Sequence, residues 1–331
     1  MSVRSFLMLN RYSMGLIFVY TFVWVCYNRA MGVITIKILN FGSCNIDYVY
    51  SLDHIVCVGE TEATYKLETF PGGKGLNQSI AIARAGAKVY HAGCVGYDGG
   101  MLVSLLKENG VDTAFVKAVD AKNGHAVIQV SAKGENSIFL YGGSNEAVDR
   151  EFIDSVLENF SEGDLLILQN EISNVGYIIE KAFEKQMRIM FNPSPINADI
   201  MRLDFNKLSY LILNEVEAAA ITGRENPEEA LAFFRERYPG LCVILTLGEN
   251  GSIYSDSERE LYQSAFEADV VDTTAAGDTF TGYFAAGLYF GTTPAETMKT
   301  ASAAASITVS RSGAAPSIPT REETLKLLEN K

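Results

Sequence analysis

Histidine, tryptophan and cysteine are scarce in this 331-residue chain, and each shortage removes a class of chemistry. The three histidines, His54, His91 and His125, lie far apart without ligand spacing and read as structural or surface residues. The five cysteines (Cys26, Cys44, Cys57, Cys94 and Cys242) form no C-x-x-C pair. That scatter argues against a disulfide framework or a thiolate zinc site and fits reduced, mostly buried thiols. Basic residues are outnumbered, with 27 Lys+Arg against 40 Asp+Glu and a net charge of −13. An acidic surface argues against a nucleic-acid or anionic-membrane partner and suits a soluble cytoplasmic protein. There is no internal repeat, low-complexity tract or linker. The one sustained apolar run, residues 14–26, is too short to span a bilayer comfortably. It sits in an acid-free stretch with Arg4, Arg11 and Arg29, and Asn28-Arg29-Ala30 is a poor signal-cleavage site. The preferred reading is a translation start at Met31, with residues 1–30 an extension outside the native fold and a membrane tether as the alternative. Trp24 is the sole tryptophan, so indole absorbance in the native protein would exclude that start.

What is present is an alternation of short apolar runs with helical spacings, enough chain for a large core. Residues 33–42 predict a buried first strand, 88–95 a second, and 164–169, 188–191, 208–213 and 242–247 four more. Helices are expected over 75–85, 100–109, 149–160, 175–186, 215–222, 227–238, 277–290, 294–310 and 320–329. Such alternation predicts an α/β fold with a mainly parallel sheet covered on both faces. In that architecture ligands sit beyond the carboxyl ends of the strands. Asn45 and Asp47, Asn170-Glu171, Asn192, Asn214 and Gly248 all follow strands, which suggests one shared cleft. Two β-rich patches, about 48–70 and 112–142, do not fit the alternation. They are expected to form a small sheet standing over the cleft as a lid that excludes water.

The most informative stretch is Val271-Asp272-Thr273-Thr274-Ala275-Ala276-Gly277-Asp278, followed by a Gly/Ala/aromatic helix. A helix beginning at Ala276 offers unpaired N–H groups and a partial positive charge, and small residues let an anion approach. Ala275, Ala276 and Gly277 would then line an anion hole, with Asp278 placed to orient a hydroxyl and take its proton. The plainer alternative is an Asp-capped helix with a small-residue entry. A second stretch, Gly72-Gly73-Lys74-Gly75-Leu76-Asn77-Gln78, is not a Walker A loop, because Gly follows the Lys. It reads either as a turn before a helix or as backbone N–H groups presented to hydroxyls, with Asn77 both donating and accepting.

Together these two strings resemble the paired signatures of the ribokinase-like sugar kinases, the superfamily that also holds adenosine kinases and fructokinases. The resemblance covers residue 36 to the C-terminus. It implies a three-layer α/β/α sandwich over 34–330 with a small β-sheet lid, and ATP-dependent phosphorylation of a primary sugar hydroxyl, D-ribose foremost. Asp278 would be the base, and Asn45, Asp47, Gly73, Lys74, Asn77 and Glu171 the sugar contacts. Asn214 and Glu217, an N-x-x-E pattern that alone reads as a helix cap, would hold Mg²⁺ and phosphate through water. Thr246, Gly248, Gly251 and Gly277 would face ATP, with Ser302 near the adenine. Asp272, Thr274, Thr308, Arg311, Gly313 and Ser317 would bind K⁺, largely through backbone oxygens. A plain Gly-Pro helix stop is the alternative for the last three. The resemblance also implies a homodimer paired through lid strands. Deoxyribose, fructose and adenosine remain rival substrates, and a non-catalytic sugar-binding protein is the rival class.

Overall fold

Runs of Leu, Ile, Val and Phe too short for helices, and apolar on successive residues, become strands buried on both faces. In a computed structural model that describes residues 36–329, they build a nine-stranded sheet. The expectations for residues 1–30, and for the first strand before residue 36, lie outside the described residues. The sheet comprises β1 (Ile38–Phe41), β4 (Val89–Val95), β5 (Asp112–Ala118), β8 (Leu165–Gln169), β9 (Arg188–Asn192), β10 (Tyr210–Asn214), β11 (Cys242–Thr246), β12 (Ser252–Ser255) and β13 (Glu260–Gln263). Their order is β13-β12-β11-β10-β9-β8-β1-β4-β5, parallel from β11 to β5 and antiparallel at the β12 and β13 hairpin. A separate sheet, β3-β2-β6-β7, holds β2 (Asn45–Leu52), β3 (Lys66–Gly72), β6 (His125–Ser131) and β7 (Asn136–Tyr141).

The second β-rich patch is therefore divided. Asp112–Ala118 is an edge strand of the large sheet, parallel to β4, and only the part from His125 onward joins the small sheet. Helix α2 (Gly100–Glu108, numbering the helices in chain order) and a turn at Gly110, φ 79°, return the chain beside β4. An edge strand and a strand of the small sheet both carry mixed exposure, so their sequences look alike. No strand forms between Leu52 and Lys66.

The remaining helices are α1 (Lys74–Arg84), α3 (Arg150–Leu157), α4 (Val175–Glu184), α5 (Glu215–Thr222), α6 (Pro227–Arg237), α7 (Ala276–Phe290), α8 (Pro294–Val309) and α9 (Arg321–Glu329). They divide between the two faces of the sheet, as alternate strand residues dictate. Leu39, Phe41, Leu166 and Phe191 pack with Ile153, Ile178, Ala218 and Phe234 of α3 to α6. Ile38, Leu165, Ile167 and Met190 pack with Ile80, Leu106, Phe284 and Ala301 of α1, α2, α7 and α8. The result is the expected three-layer sandwich. Of the four described cysteines, Cys44, Cys94 and Cys242 are buried and Cys57 is exposed, all as free thiols. Among the described residues no helix is long and apolar enough to cross a membrane.

Two features aim the fold at one place. β1 lies between β4 and β8, so chain connections diverge to either side of it and leave a crevice at the β1/β8 strand ends. On the adjoining face α1 and α7 touch backbone to backbone. A Cβ added at Gly282 would stand 2.4 Å from the Ala81 Cβ and 3.0 Å from the Gln78 oxygen. That close crossing brings the first turns of both helices together at the mouth of the crevice.

Candidate active site

Asp278 sits in the first turn of α7, 8% exposed. Its Oδ2 accepts from Asn77 Nδ2 at 3.0 Å and its Oδ1 from Gln78 Nε2 at 2.9 Å. Both donors come from the N-terminal end of α1, where glycines make the approach feasible. Gly73 has φ 94°, and a Cβ at Gly75 would lie 2.4 Å from the Ser43 nitrogen. Asn77 Oδ1 is buried without a partner among the described residues, an acceptor left over in the cleft.

Glu171, two residues beyond β8, caps α1 from outside: its Oε2 accepts from the Lys74 N–H at 2.9 Å and from the Ser43 hydroxyl. A carboxylate at a helix N-terminus is favourably placed. Burial nonetheless raises the Glu171 pKa, against the lowering pull of the Lys74 ammonium and the Ser43 donor. Asp47, on β2, lies against Gly72, where a Cβ would come within 2.1 Å of Oδ2. Burial, then the nearby Glu171 charge, pushes Asp47 up to about 7. Burial would pull the Lys74 ammonium down, but Asp278, Glu171 and Glu217 together hold it above its ordinary value. Asn45 is buried, with Oδ1 accepting from Asn145 Nδ2 at 2.7 Å. The crevice opens into a cavity of about 540 Å³ bordered by Asn45, Glu171, Asn145 and Tyr141. Chemically these are crowded acceptors with one ammonium, where each unmet polar group costs on the order of 1–3 kcal/mol and a ligand rich in hydroxyls would supply the partners.

The start of α7 is built differently. Ala275 takes the left-handed conformation, φ 61°, and turns the chain sharply into α7. The Ala276 N–H reaches Thr273 O and the Thr279 N–H reaches Ala275 O, whereas helix geometry leaves those of Gly277 and Asp278 without an intrahelical acceptor. Gly277 is exposed, and a Cβ there would meet nothing within 4 Å. Open space therefore faces free N–H groups beside the Asp278 carboxylate, which suits an anion.

A family model described as the pfkB family carbohydrate kinase matches residues 35–321. The chain belongs to that family of carbohydrate kinases. It is 35% identical to a ribokinase of Haemophilus influenzae over 301 residues, 87% of this chain and 97% of that one. Among solved structures, ribokinase from Cryptococcus neoformans in complex with ADP superposes with a TM-score of 0.77 at 35% identity, covering 88% of this chain and 99% of that one. Arabidopsis thaliana ribokinase complexed with ribose and ATP gives a TM-score of 0.79 at 29% identity, covering 89% and 99%.

In this carbohydrate kinase the expected nucleotide residues surround the C-terminal ends of β10 and β11. Asn214 and Glu217 form a capping box on α5: Glu217 N–H donates to Asn214 Oδ1 at 2.8 Å, and Asn214 N–H to Glu217 Oε2 at 3.0 Å. The helix-cap reading thus holds, and it leaves Glu217 buried yet close enough to act on Lys74. Thr246 bonds Leu213 O at 3.3 Å, Gly248 is exposed at φ 56°, and Gly251 at φ 95° packs where a Cβ would meet Gln263 O at 2.1 Å. Ser302 is buried on α8.

The expected cation residues also converge. Asp272 clamps two loops, Oδ1 accepting from Thr274 N–H and Oδ2 from Gly313 N–H, each at 2.9 Å. Burial alone would raise its carboxyl, but the Thr274 and Gly313 donors hold it below the usual range. Thr308 is tied to Thr279 Oγ1, Ser317 to Ala314 O, and the Arg311 guanidinium to Glu323, so these side chains are already engaged. Backbone oxygens remain, and those of Asp272, Thr274, Arg311 and Gly313 take no hydrogen bond from the described residues. An all-oxygen donor set beside a carboxylate fits a hard monovalent cation.

Gln78, Ser43, Gln169 and Asn145 are site residues that sequence reasoning missed. Gln78 directly follows Asn77, and Gln169 is the polar residue that ends the apolar run of β8, so each carried a readable signal. Asn145 lies in a short 3₁₀ turn, and nothing in its neighbours announces it.

Proposed function

We propose that the chain transfers the γ-phosphoryl group of ATP to the primary hydroxyl of D-ribose, giving ribose 5-phosphate and ADP. The observation that carries this reading is the Asp278 carboxylate, held by Asn77 and Gln78 between an acceptor-rich cleft and the open N–H groups of α7. Asn45, Asp47, Gly73, Lys74, Asn77 and Glu171 grip the sugar. With its pKa pushed up to about 7, Asp47 takes both forms near neutrality, and the protonated form donates as well as accepts, matching a ring of hydroxyls. Asp278 orients the 5-hydroxyl and takes its proton as the oxygen attacks phosphorus. At the Ala275–Gly277 turn, the free N–H groups of Gly277 and Asp278 stabilise charge on the transferring group. Thr246, Gly248, Gly251 and Ser302 contact the nucleotide. Mg²⁺, held through water by Asn214 and Glu217, would neutralise phosphate charge. K⁺ between the Asp272–Thr274 loop and the Thr308–Ser317 turn would fix the approach to α7. The small sheet acts as the lid that excludes water, and its exposed Leu67, Ile138 and Leu140 support pairing between two copies. A cytoplasmic location accords with the acidic composition.

An ADP-release assay across ribose, deoxyribose, fructose and adenosine tests the substrate. The highest kcat/KM is expected for ribose, and a clear preference for any other acceptor overturns that assignment.

A further inference from the structure

Behind Asp278 runs a line of buried amides whose orientation can be deduced from one end. A carboxylate only accepts, so Gln78 presents Nε2 to Asp278 Oδ1 and turns its Oε1 inward. Gln169 Nε2 meets that oxygen at 2.7 Å and gives its second hydrogen to Asn40 Oδ1 at 2.9 Å. Asn40 Nδ2 then donates to Gly75 O and to Ser79 Oγ, both at 2.8 Å. Ser79 Oγ in turn lies 2.8 Å from His91 Nδ1, and His91 Nε2 lies 3.3 Å from Cys44 Sγ. Burial holds His91 down to about 4, so the ring is neutral at working pH.

Each amide of the line therefore has one permitted orientation. Turning Gln169 over would set its oxygen against Gln78 Oε1 and Asn40 Oδ1, three acceptors facing each other. The orientation has a cost. Gln169 Oε1 is buried without a donor among the described residues, pressed where a Gly42 Cβ would lie 2.3 Å away. Such an orphan is destabilising, and an apolar side chain at 169 would avoid it.

We propose that Gln169, acting through Gln78, is a positioning residue that locks the Gln78 amide as a donor to Asp278 and so fixes the carboxylate for the sugar hydroxyl. This rests on the reading of Asp278 as the base. The other charged groups facing Asp278 are Lys74 on α1 and Glu171 beyond β8, with Asp47 coupled to Glu171 and Glu217 to Lys74. Gln169 touches none of them.

The test is a pH profile of kcat for Gln169→Glu and Gln169→Met, with KM for ribose measured alongside. A glutamate at 169, once ionised, has no hydrogen for Gln78 Oε1, forces that amide over and turns its oxygen on Asp278. The expected result is kcat lowered about tenfold or more and the acid limb moved up by about one pH unit, with KM changed less than about threefold. Gln169→Met removes the lock without adding charge and should lower kcat several-fold. If Gln169→Glu does not fold, Gln78→Met and the Gln78→Met/Gln169→Met pair decide: the pair should be no worse than Gln78→Met alone, and additive losses overturn the coupling. A folded Gln169 variant with wild-type kcat and acid limb also overturns it. Asp278→Asn separates the two ideas. Activity in that variant sinks the base itself, whereas an inactive Asp278→Asn beside an unaltered Gln169 series sinks only the lock.

Discussion

The proposed sugar side and phosphate side of the cleft are built from opposite materials. On the sugar side, Asp47, Lys74, Asn77 and Glu171 crowd charged and amide side chains into a space whose protonation states they shift among themselves. On the phosphate side, Ala275, Ala276 and Gly277 contribute almost no side chain, only a sharp backbone turn and room. The difference follows from the ligands. A sugar must be told from its epimers hydroxyl by hydroxyl, which needs individually placed donors and acceptors. A phosphate is the same in every nucleotide and needs only N–H groups and space. Asp278 belongs to both sides, because it stands in the backbone site and is gripped by the amides of the other.

Experiments can break this contrast, beginning with the residue the two sides share. Asp278→Asn should reduce turnover about 10³-fold or more while ribose affinity, by calorimetry, moves less than about threefold. Loss of sugar binding in that variant would place Asp278 on the sugar side alone. Gly277→Ala tests the other half. The added methyl meets no protein atom, so it should raise Tm by about 1–2 °C through better helix propensity. It should also lower kcat/KM for ATP roughly tenfold by filling the space meant for phosphate. A fully active Gly277→Ala would show that this space is not used.

Asp47→Asn probes the strain stored on the sugar side. The folded pKa is raised to about 7 from an ordinary value near 4, so ionising Asp47 is disfavoured in the folded state. Its contribution to stability is present below the unfolded pKa and is lost as pH rises through about 7. The variant should therefore melt higher than wild type at pH 8, lose that advantage towards pH 4, and bind ribose more weakly. Equal melting points at pH 8 would remove the strain from the account. Replacing K⁺ by a large organic cation should lower activity several-fold, as the oxygen-lined turn around Asp272 and Gly313 would not accommodate it. The smallest effect belongs to Glu323. The Arg311 guanidinium, then the Thr320 N–H, hold it down to about 2, so its contribution fades only as pH falls through that value. Glu323→Gln should shift Tm by a degree or so at pH 7, since the pair is largely solvent-screened.

The α/β order and both signatures were legible because short apolar runs, helix starts and glycine-rich turns are local patterns. The division of residues 112–142 was not, because an edge strand and a strand of the small sheet share half-exposed alternation, and only the α2 return decides which sheet receives it. The polar residue after each strand proved an uneven guide. Asn45 and Glu171 enter the cleft, whereas Asn192 ends β9 with its amide bonded to Ile212 O. His91, read as structural, is buried at the far end of the line that begins at Asp278. No sequence spacing reveals that line, because its members come from β1, α1, β4 and β8 and meet only in three dimensions.

Only Gly42, Ser43 and Cys44 separate β1 from β2, and β2 carries Asn45 and Asp47 while also forming the spine of the small sheet. Any tilt of that sheet relative to the sandwich must swing these two side chains away from Asn77 and Asp278. If Asn45 and Asp47 hold the substrate as proposed, its grip and the posture of the cover are one equilibrium, and a molecule that satisfies both side chains cannot leave the sheet indifferent to its presence.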